Sequence, residues 1–229
     1  MNNLAIIPAR GGSKRIPRKN IKDFRGKPII AYSIQAALDS ELFDEVMVST
    51  DDKEISDIAK KYGANVPFMR SAKNSDDWAP TFEVIKEVIN CYKDKSVEFD
   101  NLVCLYSCAP FVNPKLLLRA YNQLIGEKFD TVFPIIAYSF PIQRALRVNE
   151  GKASMILKDN LNIRSQDLEK SFHDAGQFYW SNTNKLLLSK KLLTENSGGI
   201  VISELVSQDI DTETDWKLAE LKYSLSNGV

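Results

Sequence analysis

Apolar residues along this chain fall in short runs that alternate with stretches of helical periodicity. Leu4 to Ile7 forms the first run and predicts a strand. Behind a loop marked by Gly26 and Pro28, Ile30, Ile34, Ala37 and Leu38 share one face at helical spacing. "EVMVST" predicts a second strand, ending at Asp51 and Asp52. "DKEISDIAKKYG" predicts a helix with Ile55, Ile58, Ala59 and Tyr62 inward and Gly63 as its stop. Asn65 to Phe68 reads as a short strand, and Thr81 to Lys93 as a helix burying Val84, Ile85, Val88, Ile89 and Tyr92. "NLVCLYS" is apolar almost throughout, as strands buried on both faces are. Asn113 and Pro114 supply the N-cap and first turn of a helix through "KLLLRAYNQLI". Thr131 to Ile136 predicts a further strand.

Between Ala137 and about Phe172 the rhythm breaks. Two alternating segments flank Asn149, Glu150 and Gly151, which predicts a hairpin standing off the main sheet. The alternation then resumes with a strand at "QFYWSN", a helix at "TNKLLLSKKLL", a strand at "GIVISELV" and a last helix from Asp215 to Ser224. The order predicts one α/β domain over residues 1–229, a doubly wound, mostly parallel, Rossmann-like sheet with an excursion at 137–172.

Composition narrows the partners. The 229 residues carry 30 basic and 30 acidic side chains, so no summed field draws nucleic acid or an anionic membrane. No apolar run reaches the roughly 20 residues that span a bilayer. The opening "MNNLAIIPAR" lacks the regions of a signal peptide, and the expected location is cytoplasmic. Cys91, Cys104 and Cys108, without C-x-x-C spacing, read as buried reduced thiols.

Against this neutral background, "IIPARGGSKRIPRKN" stands out. It leaves the first strand and gathers Arg10, Lys14, Arg15, Arg18 and Lys19 within ten residues. Ligands of open α/β sheets bind at the carboxyl ends of strands, where this loop lies. Gly11 and Gly12 let backbone approach a ligand, and the cations suit a polyphosphate. Neither a Walker sequence nor G-x-G-x-x-G is present, which argues against a dinucleotide-dependent oxidoreductase. In "QDIDTETDW", Asp209 and Asp211 alternate after a strand, so both carboxylates can face one hard cation, with Mg2+ the natural candidate. The same stretch also reads as a helix cap, with Asp211 or Thr212 at the N-cap and Asp215 completing a capping box. Together the two constellations point to phosphoryl or nucleotidyl transfer, in which positioning and charge do most of the work.

The core A-R-x-x-S-K-x-[IL]-x-x-K-N, residues 9–20, resembles the signature of the CMP-sugar synthetases, the cytidylyltransferases that activate sialic, legionaminic and pseudaminic acids. The resemblance covers essentially the whole chain. It implies that Arg10, Ser13, Lys14, Lys19 and Asn20 hold CTP, with Arg70 of "FMRS" on the nucleotide side and Asp209 and Asp211 on Mg2+. Arg10, Lys14, Lys19 and Asp211 would then carry the chemistry. Arg15 and Arg18 fall on variable positions and read as solvated neighbours. Where sialic acid members carry L-Q-P-T-S-P-L-R, this chain has "LYSCAPFV", with Tyr106 at the sugar-facing glutamine and Val112 at the arginine. Those departures, with "FHDAGQFYW", resemble the pseudaminic acid branch and imply that Tyr106, His173, Asp174, Gln177 and Tyr179 lie near an acidic nine-carbon sugar. Phe172, Phe178 and Trp180 read as packing. The resemblance further implies a homodimer formed through the excursion, which reaches into the partner's site, where Arg144, Arg147 and Arg164 would meet a sugar carboxylate. Legionaminic acid, sialic acid and Kdo are alternative substrates, and a nucleotide sensor without turnover is the alternative of another class.

Overall fold

A computed structural model describes residues 1–76 and 78–227. Seven strands form one mixed sheet in the order β11-β6-β10-β5-β1-β4, with β9 on β6. Its parallel members are β1 (Asn3–Pro8), β4 (Glu45–Ser49), β5 (Asn101–Leu105), β6 (Thr131–Ala137) and β11 (Ser197–Val201). Between β5 and β6 runs β10 (Phe178–Asn182), antiparallel to both, and β9 (Phe172–Asp174) also pairs antiparallel with β6. The apolar-run pattern predicted these strands except the exposed β9, and it did not predict the reversal of β10, because a buried strand reads alike in either direction.

Alternation along β1 divides the core. Ala5 and Ile7 face one layer with α1 (Ile30–Asp39), α2 (Lys53–Lys61) and α4 (Pro114–Gly126). Leu4 and Ile6 face the other, with α3 (Thr81–Lys93) and Leu186 of α5 (Thr183–Ser189). The expected caps form: Asn113 accepts from the Leu116 amide at 3.0 Å, and Gly63 takes φ 96° at the end of α2.

Four local expectations are corrected. Residues 65–68 form no strand beyond a single bridge from Asn65 to Met47. The helix at 183 stops at Ser189, since Lys190 adopts φ 57°. The strand expected over "GIVISELV" begins earlier and ends at Val201, giving way to a 3-10 turn at Glu204–Val206. The loop before α1 is a small hairpin, β2 (Asp23–Phe24) with β3 (Lys27–Pro28), turning through Arg25 and Gly26 at φ 53° and 95°.

That hairpin seats a third core. Ile16, Phe24, Ile29, Tyr32, Phe111 and Ile210 pack with Trp216 and Ala219 of α6 (Glu213–Asn227). Phe24 lies edge-on to Tyr32, Trp216 and Tyr223 at centroid distances of 5.5, 5.6 and 5.6 Å. Ile16 belongs to the basic loop and Ile210 sits between the two aspartates. One apolar cluster therefore brings the two charged constellations together.

The excursion forms the expected hairpin, β7 (Leu146–Asn149) with β8 (Lys152–Met155), as a sheet of its own. Among the described residues no helix is long and apolar enough to cross a membrane.

Candidate active site

A cavity of about 630 Å³ opens at the carboxyl ends of β1 and β5. Arg10, Lys14, Arg15, Lys19 and Arg70 line it against Asp76, Asp209 and Asp211, five cations to three carboxylates. Ser13, Asn20 and Tyr106 also border it. Residues from four parts of the chain, read separately in the sequence, thus share one space.

The basic loop is held from several sides. Lys19 donates through Nζ to the Ile210 carbonyl at 2.6 Å and lies 3.7 Å from Asp211, while Lys22 reaches Glu213 at 2.7 Å. Arg10 donates to the Asp76 carbonyl at 3.0 Å. Asn20 is buried and its amide is engaged at both ends: Nδ2 donates to the Arg10 carbonyl at 2.8 Å, and Oδ1 accepts from Ser107 Oγ at 2.8 Å and Cys108 Sγ at 3.3 Å. It ties the loop to the segment after β5. Burial pushes the Cys108 thiol up to about 11, so it stays a protonated donor.

Arg15 is exposed, as expected, and Arg18 half-buried, but both also hold carboxylate partners. Arg15 meets Asp211 at 2.9 Å across the cavity. Arg18, at φ 55°, places its guanidinium on Asp52 at 2.5 and 3.0 Å and on Glu54 at 2.5 Å. It holds the Asp52 carboxyl down to about 2, and Asp52 in turn caps α2 through the Ile55 amide. Gly11 is required at this lock, since a Cβ there would meet Asp52 Oδ2 at 2.7 Å, whereas Gly12 faces open space. Gly11 thus makes room for Asp52, a role the sequence did not show.

Arg70 is 8% exposed and borders the cavity. It donates from Nε to Ser49 Oγ at 3.0 Å and from Nη2 to the Ser49 carbonyl, both neutral acceptors, and no carboxylate among the described residues pairs with it. Burial pulls its pKa down, against the fields of Asp51 and Glu87. A cation so desolvated favours an anion in the adjacent space.

Asp209 is pushed above the ordinary carboxylate range, by burial first and then by Asp211, while Lys19 pulls the other way. Among the described residues no third His, Cys, Asp or Glu joins the pair as a metal cluster. The other sequence reading of this segment also holds. Thr212 and Asp215 form a reciprocal capping box at 2.7 and 3.2 Å, which also takes the Asp211 amide at 3.1 Å and leaves the Asp209 and Asp211 carboxylates outside it.

The residues expected at the sugar divide. Tyr106 borders the cavity; His173, Asp174, Gln177 and Tyr179 do not. Strand alternation turns His173 outward, its ring 5.0 Å from Tyr138 and its Nδ1 2.9 Å from the Asp174 carbonyl. Gln177, 2% exposed, donates to the Val206 carbonyl at 2.8 Å. Tyr179 donates to Asp174, which accepts the Gly176 amide at 2.8 Å. Phe178 and Trp180 are core, whereas Phe172 is exposed. Arg164 pairs with its own neighbour Asp167 at 2.7 Å, Arg144 donates to Ser165 at 3.2 Å, and neither borders the cavity of its own chain. Cys104 is buried, Cys91 and Cys108 are partly exposed, and all three are free thiols.

Gly176 at the cavity wall went unread in the sequence. Four residues of β6, from Val132 to Ile135, are spanned by seven of the returning strand, from Asp174 to Trp180, and the surplus bulges out at 175–177. Its glycine at φ 63° was the available signal.

Concentrated positive charge beside a carboxylate pair, at the carboxyl edge of an α/β sheet, suits transfer of a nucleotidyl group, and the chain is a nucleotidyltransferase. The model of the cytidylyltransferase family matches residues 4–207, and the chain belongs to that family. The pseudaminic acid cytidylyltransferase of Campylobacter jejuni subsp. jejuni serotype O:2 is 42% identical over 228 residues, covering 99% of this chain and 98% of that one. The CMP-N,N'-diacetyllegionaminic acid synthase of Legionella pneumophila is 31% identical over 235 residues, covering 99% and 98%. Among solved structures, CMP:2-keto-3-deoxy-manno-octonic acid synthetase complexed with CTP superposes with a TM-score of 0.71 over the whole of both chains, at 19% identity, a likeness of fold.

Proposed function

We propose that this cytidylyltransferase joins CTP to pseudaminic acid, giving CMP-pseudaminic acid and pyrophosphate. The observation that carries the nucleotide half is the convergence of Arg10, Lys14, Lys19 and Arg70 on one cavity with Asp209 and Asp211 beside them. Identity of 42% to a pseudaminic acid cytidylyltransferase, with Tyr106 at the cavity wall, supports the sugar.

In this reading the anomeric hydroxyl oxygen of the sugar bonds to the α-phosphorus as the bond to the β-phosphate oxygen breaks, and the hydroxyl proton leaves to solvent. Lys14, Lys19, Arg10 and Arg70 offset the charge gathering on the departing pyrophosphate. Asn20 keeps the loop and the segment after β5 in register, so the cations need not reorganise as the reaction proceeds. Asp209 and Asp211 fit a magnesium ion: a pair of oxygen donors, one partly buried beside the other, gains from a cation between them. Bound there, Mg2+ would withdraw charge from the phosphates. Arg15 and Lys19 neutralise Asp211 meanwhile. The working form is a cytoplasmic homodimer, its contact supplied by the exposed apolar side chains of the excursion. CTP as substrate supports the location.

Pyrophosphate release, measured with CTP and each of pseudaminic, legionaminic, sialic and Kdo acids, tests the reading. Turnover is expected with pseudaminic acid at a kcat/KM well above the others. Preference for another sugar would overturn the substrate, and silence across the panel would favour a nucleotide sensor.

A further inference from the structure

The nucleotide-side wall rests on a carboxylate that stands outside the cavity. Arg70 leads into a single 3-10 turn, Ala72–Asn74, closed by the Asn74 amide on the Ser71 carbonyl at 3.1 Å. Glu87 of α3, half-buried, takes the donors of that turn. Its Oε1 accepts from the Ser71 amide at 2.7 Å, and its Oε2 from Ser71 Oγ at 2.7 Å and from Asn74 Nδ2. On the other side the Arg70 amide donates to the Thr50 carbonyl at 2.8 Å, just past β4. The segment is thus clamped between a strand end and a helix, and beyond the turn the Asp76 carbonyl meets Arg10. Arg70 and Asn74 border the cavity; Glu87 does not.

A buried guanidinium needs countercharge, yet a carboxylate in direct contact would occupy the N–H groups that a bound anion requires. Here the two demands are met separately. Of the five N–H donors of Arg70, one on Nε and one on Nη2 go to Ser49, a neutral partner. Asp51 and Glu87 act on Arg70 through their fields, and neither is among its hydrogen-bond partners. Each is tied elsewhere. Asp51 accepts the Gly11 amide at 3.0 Å, and both oxygens of Glu87 are engaged by Ser71 and Asn74. Burial alone would push the Glu87 carboxyl up, but the bonds from Ser71 and Asn74 and the field of Arg70 outweigh it. Glu87 is held below the ordinary range and stays an anion at neutral pH.

We propose that Glu87 is a positioning residue for the nucleotide: it fixes the 70–74 turn and supplies countercharge at a distance, so that the Arg70 guanidinium stays in place, charged and with N–H groups left for CTP. The proposal rests on the reading of Arg70 as a CTP contact.

The test is CTP affinity by calorimetry, joined to steady-state pyrophosphate release with sugar and CTP varied in turn. The variants are Glu87→Gln, Glu87→Ala, Arg70→Met, and each Glu87 change combined with Arg70→Met. Glu87→Ala is expected to weaken CTP about tenfold, the value of one hydrogen bond to a charged group, with the sugar KM unchanged. Glu87→Gln keeps the size and an acceptor for the Ser71 amide but not the charge, and should weaken CTP by less. With Arg70 already replaced by methionine, either Glu87 change should cost less than about twofold, because Glu87 acts through Arg70. Full additivity would overturn the proposal, as would an unchanged CTP affinity in Glu87→Ala or a sugar KM that rises as far as the CTP KM. Should Glu87→Ala fail to fold, Glu87→Gln carries the same comparison. Wild-type affinity in Glu87→Gln would overturn the countercharge. Unchanged CTP affinity in Arg70→Met would instead refute the underlying reading of Arg70, and the proposal with it.

Discussion

The basic loop and the excursion are both charged, irregular segments that leave the main sheet, and the molecule treats them in opposite ways. Residues 10–22 bury Ile16 completely, wedge the β2–β3 hairpin against Trp216, and fasten Lys19 and Lys22 to the 210–213 segment. Residues 137–172 turn their apolar side chains outward: Phe140 is 84% exposed, Val148 67% and Leu146 59%. A loop that must hold several cations around one anion needs rigidity from its own core, because each cation repels the next until the anion arrives. The exposed apolar side chains of the excursion gain nothing within one chain and call for a partner surface.

The largest effect should follow from breaking the third core. Phe24→Ala removes the ring that meets Tyr32, Trp216 and Tyr223, and an aromatic truncation of this kind costs about 3–5 kcal/mol. Urea denaturation should record that loss. Where the variant remains folded, its CTP KM should rise, because Ile16 and Ile210 share the damaged cluster. A variant with the lost stability and an unchanged CTP KM would break the link drawn here between this core and the site. Next comes Lys19→Ala, expected to lower kcat/KM by about 10²-fold or more with a denaturation midpoint close to wild type. Wild-type kinetics would remove Lys19 from the charge cradle.

Most of the sheet was legible because buried strands and one-sided helices write their period into the sequence, and the Asn113 and Gly63 ends were readable from local chemistry alone. The site was half legible. Arg10, Ser13, Lys14, Lys19, Asn20, Arg70, Tyr106, Asp209 and Asp211 do border one cavity. The carboxylate partners of Arg15, Arg18 and Gly11 could not be read, because Asp211 and Asp52 lie far along the chain or in the next crossover, and pairing across such distances leaves no local pattern. His173, Asp174, Gln177 and Tyr179 were adjacent in sequence and taken as a group. Strand alternation and the bulge at 175–177 then sent them in different directions.

A smaller effect tests the lock beside the loop. The Asp52 carboxyl lies near 2 against its ordinary 3.8, so the stabilisation it provides is present above about pH 4 and is lost as pH falls through about 2. Arg18→Ala should flatten that decline in a series of urea melts between pH 5 and pH 2, while an unaltered pH profile would detach Arg18 from the stability of this corner. Asp52→Ala should cost about 1 kcal/mol at neutral pH through the lost cap on α2, somewhat more than Arg18→Ala, whose ion pairs are partly exposed to solvent.

The smallest change in chain stability is expected in the excursion. Val148→Glu and Leu146→Glu place charge where the single chain already meets water, and such surface substitutions ordinarily stay within about 0.5 kcal/mol. If the excursion is the homodimer contact, the same variants should shift the protein toward monomer in sedimentation at micromolar concentration, because each buries an unpaired carboxylate in the pair. The two readouts separate the regions compared at the outset. Damage to the core beneath the basic loop should appear first in stability and CTP affinity, and damage to the excursion first in assembly. A dimer unaffected by either substitution would move the interface elsewhere, and a monomeric wild type with full turnover would leave the apolar excursion without the role proposed for it.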